Sequence, residues 1–106
     1  MLVLALLYAV DGYRPATSDR ESGDGRCDVL LEPLAGEAGR LPAHAMELKL
    51  DRGAETDGAL EACARGVALA QAERLAYGHG LAGVGLVRWG VAFCDKRVAV
   101  VCERAS

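Results

Sequence analysis

Ala43-His-Ala-Met-Glu-Leu-Lys-Leu50 is the stretch on which the fold turns. Its alternation puts His44, Met46, Leu48 and Leu50 on one face of an extended strand and Ala43, Ala45, Glu47 and Lys49 on the other. The first set is the more apolar. It is therefore expected to face the core, with His44 a structural residue within it. Glu47 and Lys49 then project side by side from the opposite face.

Upstream, Cys27-Asp-Val-Leu-Leu-Glu32 is a short apolar run closed by Pro33, which cannot donate to a central ladder. It reads as a strand that begins near Arg26 and carries Asp28 at its start. Before it, residues 13–20 read as a short edge strand and Glu21-Ser-Gly-Asp-Gly25 as a turn. The opening run Met1-Leu-Val-Leu-Ala-Leu-Leu-Tyr-Ala-Val10 lacks the basic flank and cleavage segment of a signal peptide. It is also half the length of a membrane span. A buried first helix, stopped by Asp11-Gly12, is the expectation.

Downstream, residues 51–56 form a connector, and a helix is expected over 57–77, ended by Gly78. Leu60, Ala64, Val67, Gln71 and Leu75 fall in one stripe at the 3.6-residue period, leaving Gln71 a polar residue on an inward face. Residues 83–92 and 93–103 read as two strands hinged at Cys94-Asp-Lys-Arg97. The order is helix, three strands, helix, two strands, which makes an α/β domain.

With 106 residues, the chain has the size of one domain with a single core. Apolar residues at 52% and charged residues at 25% exclude a disordered or fibrous chain. The net charge of −3, from 12 Lys and Arg against 15 Asp and Glu, argues against a simple basic DNA-binding module. Cysteines 27, 63, 94 and 102 lack zinc-type spacing and read as reduced, which fits a cytoplasmic protein. A hairpin turning at Asp95-Lys96 would set Cys94 opposite Arg97 and Cys102 opposite Trp89, so these two thiols do not face each other.

Phosphodiester hydrolysis needs a hard cation to neutralise charge building on the phosphate, and such ions prefer carboxylate and carbonyl oxygens. Asp28 and Glu47, from neighbouring strands, supply two such ligands, and the Leu48 carbonyl a third. Lys49 beside them is suited to hold or deprotonate a water and to steady a pentavalent phosphate. Two carboxylates forced together repel unless a cation lies between them. Taken alone, Asp followed nineteen residues later by Glu-x-Lys is a weak pattern that solvated surface charges also produce.

The segment Ser18-Asp-Arg-Glu-Ser-Gly-Asp-Gly-Arg-Cys-Asp-Val-Leu-Leu-Glu-Pro33 resembles the entry to the nuclease-like domain at the C-terminal end of bacterial AAA-ATPase-like proteins. In the same order, Ala45-Met-Glu-Leu-Lys49 resembles that family's Glu-x-Lys strand. Ala70-Gln-Ala-Glu-Arg-Leu-Ala-Tyr77 resembles its helix with Gln and Tyr six apart, and Trp89-Gly-Val-Ala-Phe-Cys-Asp-Lys-Arg-Val98 its last hairpin. The resemblance implies a restriction-endonuclease-like core of the PD-(D/E)XK superfamily with a mixed central sheet. It implies Asp28 and Glu47 as ligands of Mg²⁺ or Mn²⁺, Lys49 as base or charge stabiliser, and nucleic acid, DNA first, as substrate. Cys27 and Cys94 depart from the aromatic or glycine residues expected there.

Gln71 and Tyr77 resemble an accessory pair that positions the site in exonuclease-like relatives. Six residues along a helix is 600°, so the two side chains would stand about 120° apart unless the helix ends early. Glu21 and Arg26 flank Asp28 closely enough to add a ligand or a phosphate contact, or to pair with each other across the turn. His79, in a Gly-rich loop, is expected to be structural. The competing reading is a catalytically silent module that docks onto an AAA-ATPase domain, another protein or a second copy of itself. Neither reading involves a membrane.

Overall fold

The computed structural model describes residues 10–22, 25–78 and 80–105, with 18–22 and 25–27 as backbone alone. The helix expected of the opening run, the Cys27 side chain and His79 lie outside these residues. Within them the class is α/β, as expected: one mixed five-stranded sheet whose strands lie in chain order. β1 (Thr17–Ser22) and β2 (Gly25–Leu31) form an antiparallel hairpin, and β2 runs antiparallel to β3 (Ala43–Leu50). β4 (Leu86–Cys94) lies parallel to β3 over eight pairs and closes an antiparallel hairpin with β5 (Arg97–Ala105). A parallel pair needs a crossover, and the segment between β3 and β4 supplies it as a helix, α1, over residues 57–74.

The terminal hairpin turns where expected, with Asp95 at φ 53°, and sets Cys94 opposite Arg97 and Trp89 opposite Cys102. Cys63, Cys94 and Cys102 are all free thiols. The expected edge strand is displaced: β1 starts only at Thr17 and absorbs Glu21 and Ser22, while Tyr13 makes an isolated bridge to Pro33. Among the described residues no helix is long and apolar enough to cross a membrane.

The faces of β3 are reversed from the expectation. Ala43 and Ala45 are fully buried and Glu47 is 3% exposed, whereas His44, Met46 and Leu48 are only half-buried. The reason is steric. A helix backbone settles close to a sheet where the side chains beneath it are small, and the alanines provide that seat. Leu30 of β2 and Ala72 and Tyr77 from the crossover close one core cluster with Ala45. Leu60, Ala64 and Leu69 meet Ala92, Cys94 and Val101 in another.

α1 starts at Asp57 with Thr56 as N-cap, its hydroxyl accepting from the Ala59 amide at 3.0 Å. It runs as an α-helix over Asp57–Cys63, widens to a π-helix over Ala64–Leu69, and returns to an α-helix over Ala70–Arg74. The wide i→i+5 turns shift the phase of the inward stripe. Ala68, Leu69 and Ala72 are buried, and Val67, expected inside, is 51% exposed. The π-turns lie directly over Gly90. A Cβ there would meet the Ala64 carbonyl oxygen, the Leu69 nitrogen at 2.5 Å and Leu69 Cβ at 2.8 Å.

The helix stops three residues before the expected 77. The Tyr77 amide donates to the Ala72 carbonyl at 3.0 Å and the Ala76 amide to Glu73 at 3.1 Å, the 6→1 and 5→2 pair of a Schellman close. Ala76 takes the left-handed position at φ 54°, where glycine is usual. Gly78, expected as the stop, lies two residues further on.

On the face away from α1, Trp89 Nε1 donates to His44 Nδ1 at 3.0 Å, and Tyr13 Oη lies 3.2 Å from His44 Nε2 and 2.7 Å from the Pro42 carbonyl. An indole N–H can only donate, so Nδ1 accepts and the imidazole proton resides on Nε2. The relay is complete only with neutral His44, and burial lowers its pKa below the usual 6.5. A depressed folded value gives stability that is present above pH 6.5 and lost as pH falls through the folded value. His44→Gln is expected to flatten the loss of urea midpoint between pH 7.5 and pH 5. An identical loss in both proteins would refute the relay.

Candidate functional site

Asp28 lies in the middle of β2, and Glu47 and Lys49 lie near the end of β3. The β2–β3 ladder pairs Val29 with Met46, Leu30 with Ala45 and Leu31 with His44. Extending that register by one step puts Asp28 opposite Glu47, and directly opposed residues share a face with Cβ atoms about 5 Å apart. The backbone ladder is not extended that far. The Leu48 amide donates instead to Asp28 Oδ2 at 2.8 Å, the side chain taking the place of a strand carbonyl. A residue's N–H and C=O leave a strand toward the same neighbour, so the Leu48 carbonyl lies on this side too.

Among the described residues Glu47 is the buried charge, with its side chain 5% exposed. Its Oε2 accepts from Gln71 Nε2 at 2.8 Å and is 3.0 Å from Lys49 Nζ. Its Oε1 is buried without a hydrogen-bond partner. Burial pushes the Glu47 carboxyl above the usual carboxylate range, the Lys49 ammonium opposes this, and the charge of Asp28 reinforces it. A buried, unpartnered carboxylate oxygen facing a second acid is the situation a cation relieves. Among the described residues no three His, Cys, Asp or Glu side chains converge on one point. A Mg²⁺ site needs only one or two carboxylates, with waters and other oxygens completing it.

Gln71 uses both amide hydrogens, one on Glu47 and one on Tyr77 Oη at 3.1 Å. The early stop of α1 makes this possible: Ala76 reverses the chain, and Tyr77 returns beneath Gln71 although the two are six residues apart. Tyr77 is 1% exposed, so it reaches the site only through Gln71.

No family model, curated protein or solved structure matches the chain.

The geometry therefore stands on its own residues. It brings together Asp28, Glu47, Lys49 and Gln71, with Leu48 in the backbone and Tyr77 behind. Glu21 and Arg26 pair across the β1–β2 hairpin, and their side chains lie outside the described part. His44 is held in the Trp89–Tyr13 relay on the opposite face. Three neighbours escaped the sequence reading. Gly90 pairs with Glu47 across β3–β4, and a glycine inside a strand is itself a signal of close backbone approach. Cys63 and Asp51 flank Lys49: burial raises the Cys63 thiol pKa, the Asp51 carboxylate adds to this, and Lys49 opposes it.

Proposed function

We propose that the sheet and α1 form the core of a PD-(D/E)XK nuclease and that the chain is a Mg²⁺- or Mn²⁺-dependent phosphodiesterase acting on nucleic acid, DNA first. The observation that carries this reading is the buried Oε1 of Glu47, left without a partner opposite Asp28 and beside a lysine. In it Asp28, Glu47 and the Leu48 carbonyl hold the ion. The ion, when bound, lowers the charge on the scissile phosphate and the pKa of a coordinated water.

This chain's own side chains do the rest. Gln71 fixes Glu47 by one oxygen and leaves the other for the ion. Tyr77, buried, fixes Gln71. Lys49, 31% exposed, is the group that can turn from Glu47 toward a phosphate oxygen or hold the attacking water.

The test is incubation of the pure protein with plasmid, linear duplex and single-stranded DNA, with Mg²⁺, Mn²⁺ or EDTA. Metal-dependent cleavage that falls about a hundredfold or more in Lys49→Ala is expected, by analogy with loss of one transition-state donor. No cleavage, or cleavage indifferent to this change, overturns the reading. The acidic balance and the lack of a third acidic or histidine ligand among the described residues favour the second reading, a silent module that docks onto an AAA-ATPase or another protein. A protein that gains no thermal stability from Mn²⁺ yet captures such a partner would establish it.

A further inference from the structure

β5 is an edge of the sheet, and its outer side presents an open row of backbone groups. The two-residue turn at Asp95-Lys96 makes Cys94 and Arg97 a hydrogen-bonded pair, and such pairs then alternate along nine unbroken rungs. Arg97, Ala99, Val101, Glu103 and Ala105 therefore turn their N–H and C=O groups toward β4. The carbonyls of Gly85 and Phe93 accept from the Ala43 and Asp51 amides on the β3 side, as this alternation requires. Val98, Val100, Cys102 and Arg104 direct their groups outward, where among the described residues no segment pairs with them.

A long, apolar edge is a template for another strand, and soluble proteins usually break it with proline, lysine or a bulge. None of these occurs over Arg97–Ala105. Val98 and Val100 are more than half exposed, and Cys102, on the same face of the sheet, is an exposed thiol. We propose that β5 of a second copy pairs antiparallel with this edge about a two-fold axis at Val101, joining the two five-stranded sheets into one.

Self-complementarity of the edge favours that occupant. Outward-directed residues must oppose outward-directed residues, which excludes the register that would set Arg97 against Arg104. With the axis at Val101 the whole strand pairs, and no like charges face each other. Val100 opposes the partner's Cys102, and Val98 opposes the partner's Arg104, whose aliphatic stem can cover it. On the α1 face Ala99 opposes the partner's Glu103. Arg97, held beside α1 by Asp57 and the Ala54 carbonyl, then stands diagonal to that carboxylate, a position long side chains reach. The contact is isologous, so each favourable pair occurs twice. It depends on this edge alone and not on a cation at Glu47.

Sedimentation equilibrium of the full chain is expected to show a dimer forming through the micromolar range. Val100→Lys puts a charge beside the axis on both copies, leaves the bonds to β4 in place, and should weaken association about tenfold or more. Val84→Lys, at a half-exposed valine outside the strands, should leave it unchanged. A wild-type protein that stays monomeric overturns the proposal. A dimer that survives Val100→Lys, or that Val84→Lys weakens equally, overturns it too.

Should Val100→Lys fail to fold, amide exchange in the wild type decides. The outward amides of Val98, Val100, Cys102 and Arg104 are expected to slow about tenfold or more as the dimer forms. Those of Ala99, Val101 and Glu103, bonded to β4, should be protected at every concentration. A dimer in which the outward amides still exchange freely refutes the pairing and assigns the contact to another surface.

Discussion

Glu47→Gln is expected to make the metal-free protein more stable while abolishing its response to metal. The wild-type carboxylate is buried with one oxygen unpartnered and Asp28 as a like-charged neighbour. A glutamine keeps the acceptor for Gln71 and presents an N–H₂ toward Asp28, turning a repulsion into a hydrogen bond. The Lys49 ion pair is lost, but Lys49 is partly exposed and solvent replaces most of it. Relief of a buried unsatisfied group is worth about 1–3 kcal/mol, a rise in Tm of several degrees for a domain of this size.

The pH dependence follows from the direction of the shift. A folded carboxyl raised above its unfolded value gives stability that is present at low pH and lost as pH rises through the folded value. The advantage of the variant should therefore be absent near pH 4 and larger at pH 8. With Mn²⁺ the ranking reverses, because only the wild type gains. Thermal scans in EDTA and in Mn²⁺ at both pH values give the answer. A variant less stable than wild type in EDTA, or one that still gains from Mn²⁺, would end the cation-site interpretation.

Gly90→Ala should be the most damaging single-methyl change in the chain. The added Cβ meets the Ala64 carbonyl and the Leu69 backbone, neither of which can rotate away. Overpacking usually costs about 1–3 kcal/mol, and contact with backbone belongs at or above the upper end. A loss of about 3 kcal/mol lowers Tm by roughly 12–24 °C. Gly66→Ala is the contrast, since nothing lies within 4 Å of its Cβ. There the gain in helix propensity of up to about 1 kcal/mol is expected. Equal Tm values for the two variants would mean that α1 does not rest on Gly90.

The strand alternation of 43–50, the crossover helix and the terminal hairpin were legible because each is a local pattern of period two or 3.6 bounded by Gly, Pro or a polar turn. The nearness of Asp28 to Glu47 was legible through order alone, two short strands in sequence that each carry an acid. What escaped depended on contacts distant along the chain. His44, Met46, Leu48 and Leu50 make the greasier face, yet the helix chose the alanine face, because closeness of approach outweighed hydrophobicity per residue. No residue type announces a π-turn, so Val67 was assigned inward. Alanine rarely takes a left-handed conformation, so nothing marked Ala76 as the point where the chain reverses and seats Tyr77 under Gln71.

Among the described residues three pairs zip β2 to β3, and the next rung is a side chain, the Asp28 carboxylate that receives the Leu48 amide. The outermost hairpin is thus fastened to the rest of the molecule partly through an atom of the candidate site itself. Whatever draws Asp28 toward Glu47, or pushes it away, also tightens or loosens the rim of the sheet. Amide exchange along β2 is where an event at the two acids would first be felt.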